Sequence, residues 1–326
     1  MSHKIYIHRY QMRSREGLNS RSHTTVHKGA LIRVEHDGVS GYGCLHPWVE
    51  LGDLSLDELL LELKQGRVSR QVRCALHCAK IDREARSKDL SLYDGIKIPD
   101  SHATIAGGID RVAIAVDEGF DTVKMKMGRD LEADILMVRD VHQAFPKLRL
   151  RFDFNGVLGE DQVIEFVADL GVGVREQIDF LEDPTSLGED VWEELRDKYA
   201  IKTAVDRNIG KASSSKLEFD YAILKPAVNR TDKLCDSALL NGRNVVITSY
   251  MDHPVGQCYA AYMAGLLDKK YLGLVNKRCG LMTHGLYEPD AFTDLLGKKS
   301  SEWKSPDGGT GLGFDDLLES LNWAKL

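Results

Sequence analysis

Residues 123–128 read VKMKMG, with two lysines one residue apart and apolar side chains next to each. Side chains alternate across a β-strand, so Lys124 and Lys126 would share one face and the apolar residues the other. Burying even one cation is costly unless it has partners. An isolated pair of this kind is most often a solvated strand face, so its meaning depends on the segments that follow.

The segments after residue 100 alternate short apolar runs with amphipathic helical stretches, a rhythm typical of βα units and a parallel sheet. Eight strands at this spacing predict an α/β barrel, with an open doubly wound sheet as the alternative. Neither a GxGxxG nor a GxxxxGK[ST] motif follows a strand, which disfavours a nucleotide-binding open sheet. The predicted strands are 121–127, 148–153, 178–182, 201–206, 220–225 and 244–248, with weaker ones near 103–106 and 271–275.

The first hundred residues have a different pattern, that of an α+β unit. A strand, KIYIHRYQMR, precedes a hairpin whose turn is Asp37-Gly38. Ser55 and Glu58 have the spacing of a capping box, which predicts the start of a helix, and a second helix is expected over 69–86.

Composition excludes several classes of function. The 326 residues include 43 basic and 50 acidic ones, for a net charge of −7, and no basic stripe indicates a nucleic-acid partner. The apolar run at 259–267 is too short to cross a bilayer, and the N-terminus lacks a signal-peptide pattern. Six scattered cysteines indicate reduced thiols. We therefore expect a cytoplasmic protein with no membrane or nucleic-acid partner, and the oligomeric state is left open.

Charged side chains stand near the carboxyl ends of successive predicted strands, where the loops of a parallel barrel build the active site. One acidic residue at such a position is commonly a helix N-cap, but a consecutive series is harder to explain in that way. Neighbouring carboxylates would repel unless a cation lay among them, and all-oxygen ligation favours a hard cation: Mg²⁺, with Mn²⁺ as the alternative. The residues are Lys124, Lys126, Asp153, Glu182, Asp206 and Lys225.

The strand LRLRFD at 148–153 supports this arrangement, because its apolar residues share one face and Arg151 and Asp153 share the other. The apolar face should pack under the outer helices, which leaves Arg151 and Asp153 inside the barrel. Lys126 would then be a base near neutral pH, since Lys124 and the metal ion would lower its pKa.

The ordered set KxK, DxN, E-[DE]-P, a strand-ending Asp and K-P resembles the enolase superfamily, and within it the muconate-cycloisomerase-like group. The resemblance implies a modified TIM barrel of the (β/α)7β type with an N-terminal α+β capping domain. It implies a capping domain at 1–98, a barrel at 99–284 and a C-terminal segment at 285–326 that returns to the capping domain.

The spacing of Arg151, Asp153 and Asn155 resembles that of o-succinylbenzoate synthases. This resemblance implies Mg²⁺-dependent dehydration of 2-succinyl-6-hydroxy-2,4-cyclohexadiene-1-carboxylate to o-succinylbenzoate in menaquinone biosynthesis. Lys126 would remove the proton α to the carboxylate, beside Lys124, and Lys225 would support the intermediate from the other face. The implied metal ligands are Asp153, Glu182 and Asp206; the implied substrate contacts are Arg151, Asn155, Ser249 and, in the loop at 14–25, Arg21, Ser22 and His23.

Some residues depart from the family pattern. Asp206 is followed by Arg207-Asn208 where many relatives carry Glu-Ser or Glu-Ala, and His253-Pro254 is unusual. Three alternatives therefore stay open: an N-acyl amino acid racemase or dipeptide epimerase, a muconate-type cycloisomerase, and a barrel that binds a ligand without catalysis.

Overall fold

The N-terminal unit is an antiparallel sheet with two helices packed on it. The computed structural model describes residues 4–15, 17–18 and 24–326. In the β2–β3 hairpin, Asp37 and Gly38 both have positive φ, 51° and 79°, as a two-residue turn requires. The sheet order is β12-β1-β2-β3, so the last strand of the chain pairs with the first. The elements are β1 (Lys4–Arg13), β2 (Val26–His36), β3 (Val39–Leu45), α1 (Leu56–Lys64), α2 (Arg70–Arg86) and β12 (Ala324–Lys325).

The start of α1 follows from its sequence. The Ser55 side chain accepts a hydrogen bond from the Glu58 backbone N–H at 3.3 Å, and the Glu58 carboxylate accepts one from the Ser55 N–H at 2.7 Å. This is the predicted capping box. Behind it, apolar residues of α1 such as Leu59 pack on Ala30 and Ile32 of the sheet, which fixes the helix to the unit.

A second sheet of eight parallel strands forms the barrel, in the order β10-β9-β8-β7-β6-β5-β4-β11. Its two end strands meet where Thr248 bridges to Gly280, so the sheet almost closes. The predicted α/β barrel is confirmed, and the open doubly wound alternative is wrong. The strands are β4 (Asp100–Ile105), β5 (Thr122–Lys126), β6 (Arg149–Asp153), β7 (Ile178–Glu182), β8 (Thr203–Val205), β9 (Tyr221–Leu224), β10 (Asn244–Ile247) and β11 (Arg278–Met282).

The outer helices cover the apolar side of these strands. The Phe152 ring packs edge-on against Phe166, with ring centroids 5.9 Å apart, so this face of β6 points outward as expected. In the described part of the chain, none of the helices combines the length and apolar character that crossing a membrane requires. The helices are α3 (Ile109–Asp117), α4 (Leu131–Ala144), α5 (Glu160–Asp169), α6 (Gly171–Arg175), α7 (Glu189–Tyr199), α8 (Ile209–Ala212), α9 (Thr231–Leu240), α10 (Pro254–Lys270), α11 (Ala291–Leu296) and α12 (Asp315–Ser320).

The eighth barrel strand lies later in the chain than the sequence predicted. The run at 271–275 is a turn in which Gly273 has φ +80° and only Val275 makes an isolated bridge. Leu272 is 93% exposed there, which a buried barrel strand would not allow. The strand expected near 271–275 is therefore wrong, and Arg278–Met282 takes its place.

Candidate active site at the mouth of the barrel

The two lysines of VKMKMG lie on β5 and face the interior of the barrel. In the parallel register, Lys126 is opposite Asp153 of β6, and Asp153 is opposite Glu182 of β7. All three residues end their strands, so their side chains form one row at the barrel mouth. Lys124 lies two residues earlier on β5, further from the mouth, and is opposite Arg151.

Ion pairs link Lys124 and Lys126 to the two acids of this row. The Lys124 Nζ lies 2.9 Å from an Asp153 carboxylate oxygen and 2.6 Å from a Glu182 oxygen, and the Lys126 Nζ lies 2.5 Å from Asp153. The side chains of Lys124 and Lys126 are only 8% and 15% exposed. Both amines are therefore held among carboxylates and not in bulk water, which explains how a buried strand carries two lysines.

A second pair lies further round the mouth. Lys225, after β9, contacts the carboxylate of Asp206, after β8. The Lys225 ammonium also stands 5.5 Å from the centroid of the Tyr250 ring, where a cation is favoured. The Lys225 side chain is 13% exposed. The structure thus places an amine on each side of the mouth.

The charged groups at the mouth shift one another's pKa values. Burial alone would lower the pKa of Lys124, but Asp153, Glu182 and Asp206 raise it above its ordinary value. Burial alone would raise the pKa of Asp153, but Lys124 and Lys126 lower it below its ordinary range. For Glu182, burial and the charge of Asp153 raise the pKa. Glu182 is therefore the member of the row whose negative charge is least compensated.

The donors at the mouth fit a hard cation in their chemistry. All three carboxylates offer oxygen ligands, and the buried Oε2 of Glu182 has no hydrogen-bond partner in the described part of the chain. Among the described residues, no three acidic, histidine or cysteine side chains stand ready to enclose an ion. The lysines hold the carboxylates instead, so the shared site on Asp153, Glu182 and Asp206 stays a prediction.

Arg151 lies below the mouth and has protein partners on every side. Its guanidinium donates to Asp179 at 2.8 Å, to the backbone oxygen of Arg278 at 2.7 Å and to Asn276 at 3.2 Å, and it lies 2.7 Å from a ring nitrogen of His102. It is 1% exposed. This geometry fits a residue that fills the barrel interior, and it does not support the predicted substrate contact.

Two other predicted substrate contacts lie at the mouth itself. Asn155 is buried with φ +52°, and its N–H donates to Asp153 at 3.1 Å. Ser249, after β10, is buried and 2.7 Å from the Thr283 hydroxyl. The remaining candidates, Arg21, Ser22 and His23, lie outside the described residues.

Sequence reasoning gave no role to Asp183, which follows Glu182. Its buried carboxylate accepts hydrogen bonds from the backbone N–H groups of Asp206 at 3.1 Å and Arg207 at 2.9 Å. Burial, with Asp206 nearby, raises the pKa of Asp183 well above its usual range. Asp183 thus fixes the loop that carries Asp206, and the paired acids in the EDP motif were the available signal.

Comparison with known proteins agrees with this architecture. The sequence model described as "O-succinylbenzoate synthase, N-terminal domain" matches residues 5–85, and the model "Enolase C-terminal domain-like" matches 109–216. The o-succinylbenzoate synthase of Bdellovibrio bacteriovorus is 36% identical over 334 residues, covering 99% of this chain and 98% of that protein. The chain belongs to the o-succinylbenzoate synthase family. It is accordingly an enzyme of the enolase superfamily, as the resemblance predicted.

Solved structures similar to this o-succinylbenzoate synthase family member share its fold. The N-succinyl Arg/Lys racemase from Bacillus cereus has a TM-score of 0.81 at 16% identity, covering all of both chains. The dipeptide epimerase from Enterococcus faecalis, complexed with Mg and the dipeptide L-Leu-L-Tyr, has a TM-score of 0.77 at 18% identity and covers 95% of this chain and 98% of its own. At such identities the likeness establishes the fold alone.

Proposed function

We propose that this protein is a Mg²⁺-dependent carbon–oxygen lyase that dehydrates 2-succinyl-6-hydroxy-2,4-cyclohexadiene-1-carboxylate to o-succinylbenzoate, as a step of menaquinone biosynthesis. The observation that carries the proposal is the row of Lys126, Asp153 and Glu182 at the mouth of a barrel of this family. Its substrate is a small carboxylate whose reacting carbon lies next to the carboxylate group.

The residues that would hold the ion are Asp153, Glu182 and Asp206, the carboxylates at the ends of three neighbouring strands. Their oxygens suit Mg²⁺, which usually keeps open positions for water or substrate oxygens. When bound, Mg²⁺ supplies positive charge for the oxyanion that develops as the weak carbon acid ionises.

The lysines carry the proton transfers. Lys126, as the neutral amine, takes the proton from the carbon α to the carboxylate. The electron pair left on the substrate then forms the ring double bond as the C–O bond breaks, and the Lys126 ammonium returns the proton to the departing hydroxide. The ring becomes aromatic, one water molecule leaves, and Lys126 is again neutral. Lys124 and Lys225 remain cationic and oppose the build-up of negative charge.

The test is turnover by the purified full chain in Mg²⁺ buffer. The cyclohexadiene acid should be converted to o-succinylbenzoate, followed by chromatography against the authentic product. In parallel, an N-succinyl amino acid is incubated in D₂O, and exchange of its α-hydrogen is followed by NMR. Absence of the dehydration, alongside rapid exchange, would replace the lyase with a racemase.

The racemase is the appropriate competitor, because Lys126 and Lys225 both stand at the mouth and each could move a proton. Lys147→Ala is the matched control for lysine variants. Lys147 is exposed and lies two residues before the start of β6, at the end of the strand away from the mouth. Its turnover should equal that of the wild type.

A further inference from the structure

A cavity of about 400 Å³ adjoins the Lys225–Asp206 pair. It lies between the loops that follow β8 and β9 and the start of α2 in the N-terminal unit, so both parts of the chain line it. Two of its lining residues, Asp206 and Lys225, have roles in the proposed reaction, and its other charged residues have none so far. The charged residues that line it are Asp53, Arg70, Asp206, Arg207, Lys225, Arg230 and Lys233.

The lining has an excess of positive charge. Both acids are already engaged: Asp206 contacts Lys225, and Asp53 accepts hydrogen bonds from the Trp48 N–H, the Gln71 amide and the Tyr250 hydroxyl. The remaining four cations form no ion pair with any residue that the structure describes. A cavity of this kind attracts an anion.

Arg207 is the best positioned of these cations. Its backbone N–H is fixed on the buried Asp183 at 2.9 Å, and one guanidinium nitrogen donates to the backbone oxygen of Asn155 at 3.3 Å. The side chain is half-buried, and its other guanidinium nitrogens form no hydrogen bond to a described residue. A guanidinium with free donors can bind a carboxylate with two parallel hydrogen bonds.

We propose that this cavity binds the second carboxylate of a dicarboxylate substrate, with Arg207 as the main contact and Arg230 as a weaker one. The inference rests on the proposed function, in which the substrate carries a ring carboxylate at the reacting carbon and a further carboxylate on its succinyl chain. The ring carboxylate belongs with the lysines and acids of the mouth. The cationic cavity beside Lys225 and Asp206 receives the other end, and so selects substrates that have two acids.

The experiment compares two product-like probes on the full chain in Mg²⁺ buffer. One is o-succinylbenzoate, and the other is 2-butanoylbenzoate, which keeps the ring carboxylate but has a methyl group in place of the second carboxylate. Calorimetry measures both dissociation constants for the wild type, Arg207→Gln, Arg230→Gln and Arg67→Gln. Arg67 is an exposed cation near the start of α2 that does not line the cavity. Arg67→Gln therefore removes one positive charge, as the two test variants do, but leaves the cavity unchanged.

Arg207→Gln should raise the dissociation constant of o-succinylbenzoate about tenfold, and Arg230→Gln should raise it about threefold. The dissociation constant of 2-butanoylbenzoate should change by less than about twofold in both variants. Arg67→Gln should leave the dissociation constants of both probes unchanged. Equal weakening of both probes, no weakening of either, or equal wild-type affinity for the two probes overturns the inference, and thermal unfolding checks that each variant folds.

Failure of this inference can be told apart from failure of the proposed reaction. An enzyme that dehydrates the cyclohexadiene acid but shows no probe-specific loss in Arg207→Gln keeps its function and has no such subsite. An enzyme that shows the probe-specific loss without dehydration keeps the subsite and has another reaction. A wild type that binds neither probe refutes the subsite.

Discussion

Lys124 shows at the scale of one residue how the mouth of the barrel is held together. Its ammonium lies within hydrogen-bond distance of both Asp153 and Glu182 and is almost fully buried. Removing one partner of such a group leaves an unpaired buried charge, which is strongly unfavourable. Each buried charge of the two lysines of VKMKMG and their acid partners is therefore stabilised only while its partners are present.

Lys126→Ala tests the proposed base. We expect kcat for the dehydration to fall by a factor of about 10² to 10⁴, the usual contribution of a positioned acid–base group. Steady-state kinetics with the cyclohexadiene acid measures this, with Lys147→Ala as control. Retention of full activity by Lys126→Ala would assign the proton transfer to another group.

Glu182→Gln tests the proposed metal ligands. It keeps the shape of the side chain and removes the charge of the acid whose Oε2 has no described hydrogen-bond partner. Calorimetry should show Mg²⁺ affinity reduced at least about tenfold, together with turnover. The control is Glu176→Gln, an exposed acid shortly before β7. Unchanged Mg²⁺ affinity in Glu182→Gln would remove Glu182 from the ligand set.

The position of these residues at one edge of the barrel could be predicted, because side chains alternate along strands and parallel strands end at one edge. It could not give their partners. That Arg151 meets Asp179 and Asn276 instead of a ligand depends on how β7 and the segment before β11 stand beside β6, which no local pattern encodes. The ion pairs of Lys124 have the same origin.

At the scale of elements, α2 packs directly on the backbone of β3. A Cβ atom on Gly43 would lie 2.2 Å from the carbonyl oxygen of Ala75, and one on Gly41 would lie 2.1 Å from that of Ala79. Neither contact involves a flexible side chain that could move away. Glycine at these two positions therefore sets the distance between strand and helix.

Gly43→Ala should lower the free energy of unfolding by about 1–3 kcal/mol, the usual cost of forcing extra volume into a packed site. Urea denaturation measures the change. Gly210→Ala is the control, because no atom outside its chain neighbours and its own helix backbone lies within 4 Å of the added methyl, and the φ of Gly210 is not positive. If both variants are equally stable, α2 does not lie so close to β3 that it excludes a side chain at Gly43.

Elements with a strong local signal were predictable, and weak ones were not. The capping box of Ser55 and the Asp37-Gly38 turn define their elements through short-range hydrogen bonds and backbone angles. The run at 271–275 has a similar apolar content to a strand but turns at Gly273. Only the pairing of Arg278 and Cys279 with Asp100 and Ser101 identifies the true strand, and that pairing is long-range.

At the scale of the whole molecule, the loop after β10 joins the barrel to the N-terminal unit. The Trp48 indole N–H donates to the backbone oxygen of Tyr250 at 2.8 Å, and the rings of Tyr10 and His253 lie 4.7 Å apart. Asp252 is buried in this contact, and neither of its oxygens has a hydrogen-bond partner among the described residues. Burial raises the pKa of Asp252 to about 7.

Asp252→Asn tests this buried acid through the pH dependence of stability. The folded pKa is about 7 and the ordinary value is 3.8, so between these values the folded state holds one more proton than the unfolded state. Stability must therefore fall as pH rises through that window. From about pH 5 to about pH 8, the wild type should lose about 3 kcal/mol more than Asp252→Asn in urea titrations. Parallel pH profiles would show that Asp252 is ionised in the folded state.

The proposed reaction requires acids from separate strands to hold one divalent ion beside the lysines of the mouth. This requirement is tested by measuring how much o-succinylbenzoate forms from the cyclohexadiene acid with protein treated with EDTA and then supplied with Mg²⁺. We predict no conversion after EDTA and recovery of turnover on addition of Mg²⁺. Undiminished conversion after EDTA, or no conversion with Mg²⁺ present, would refute the proposed Mg²⁺-dependent reaction.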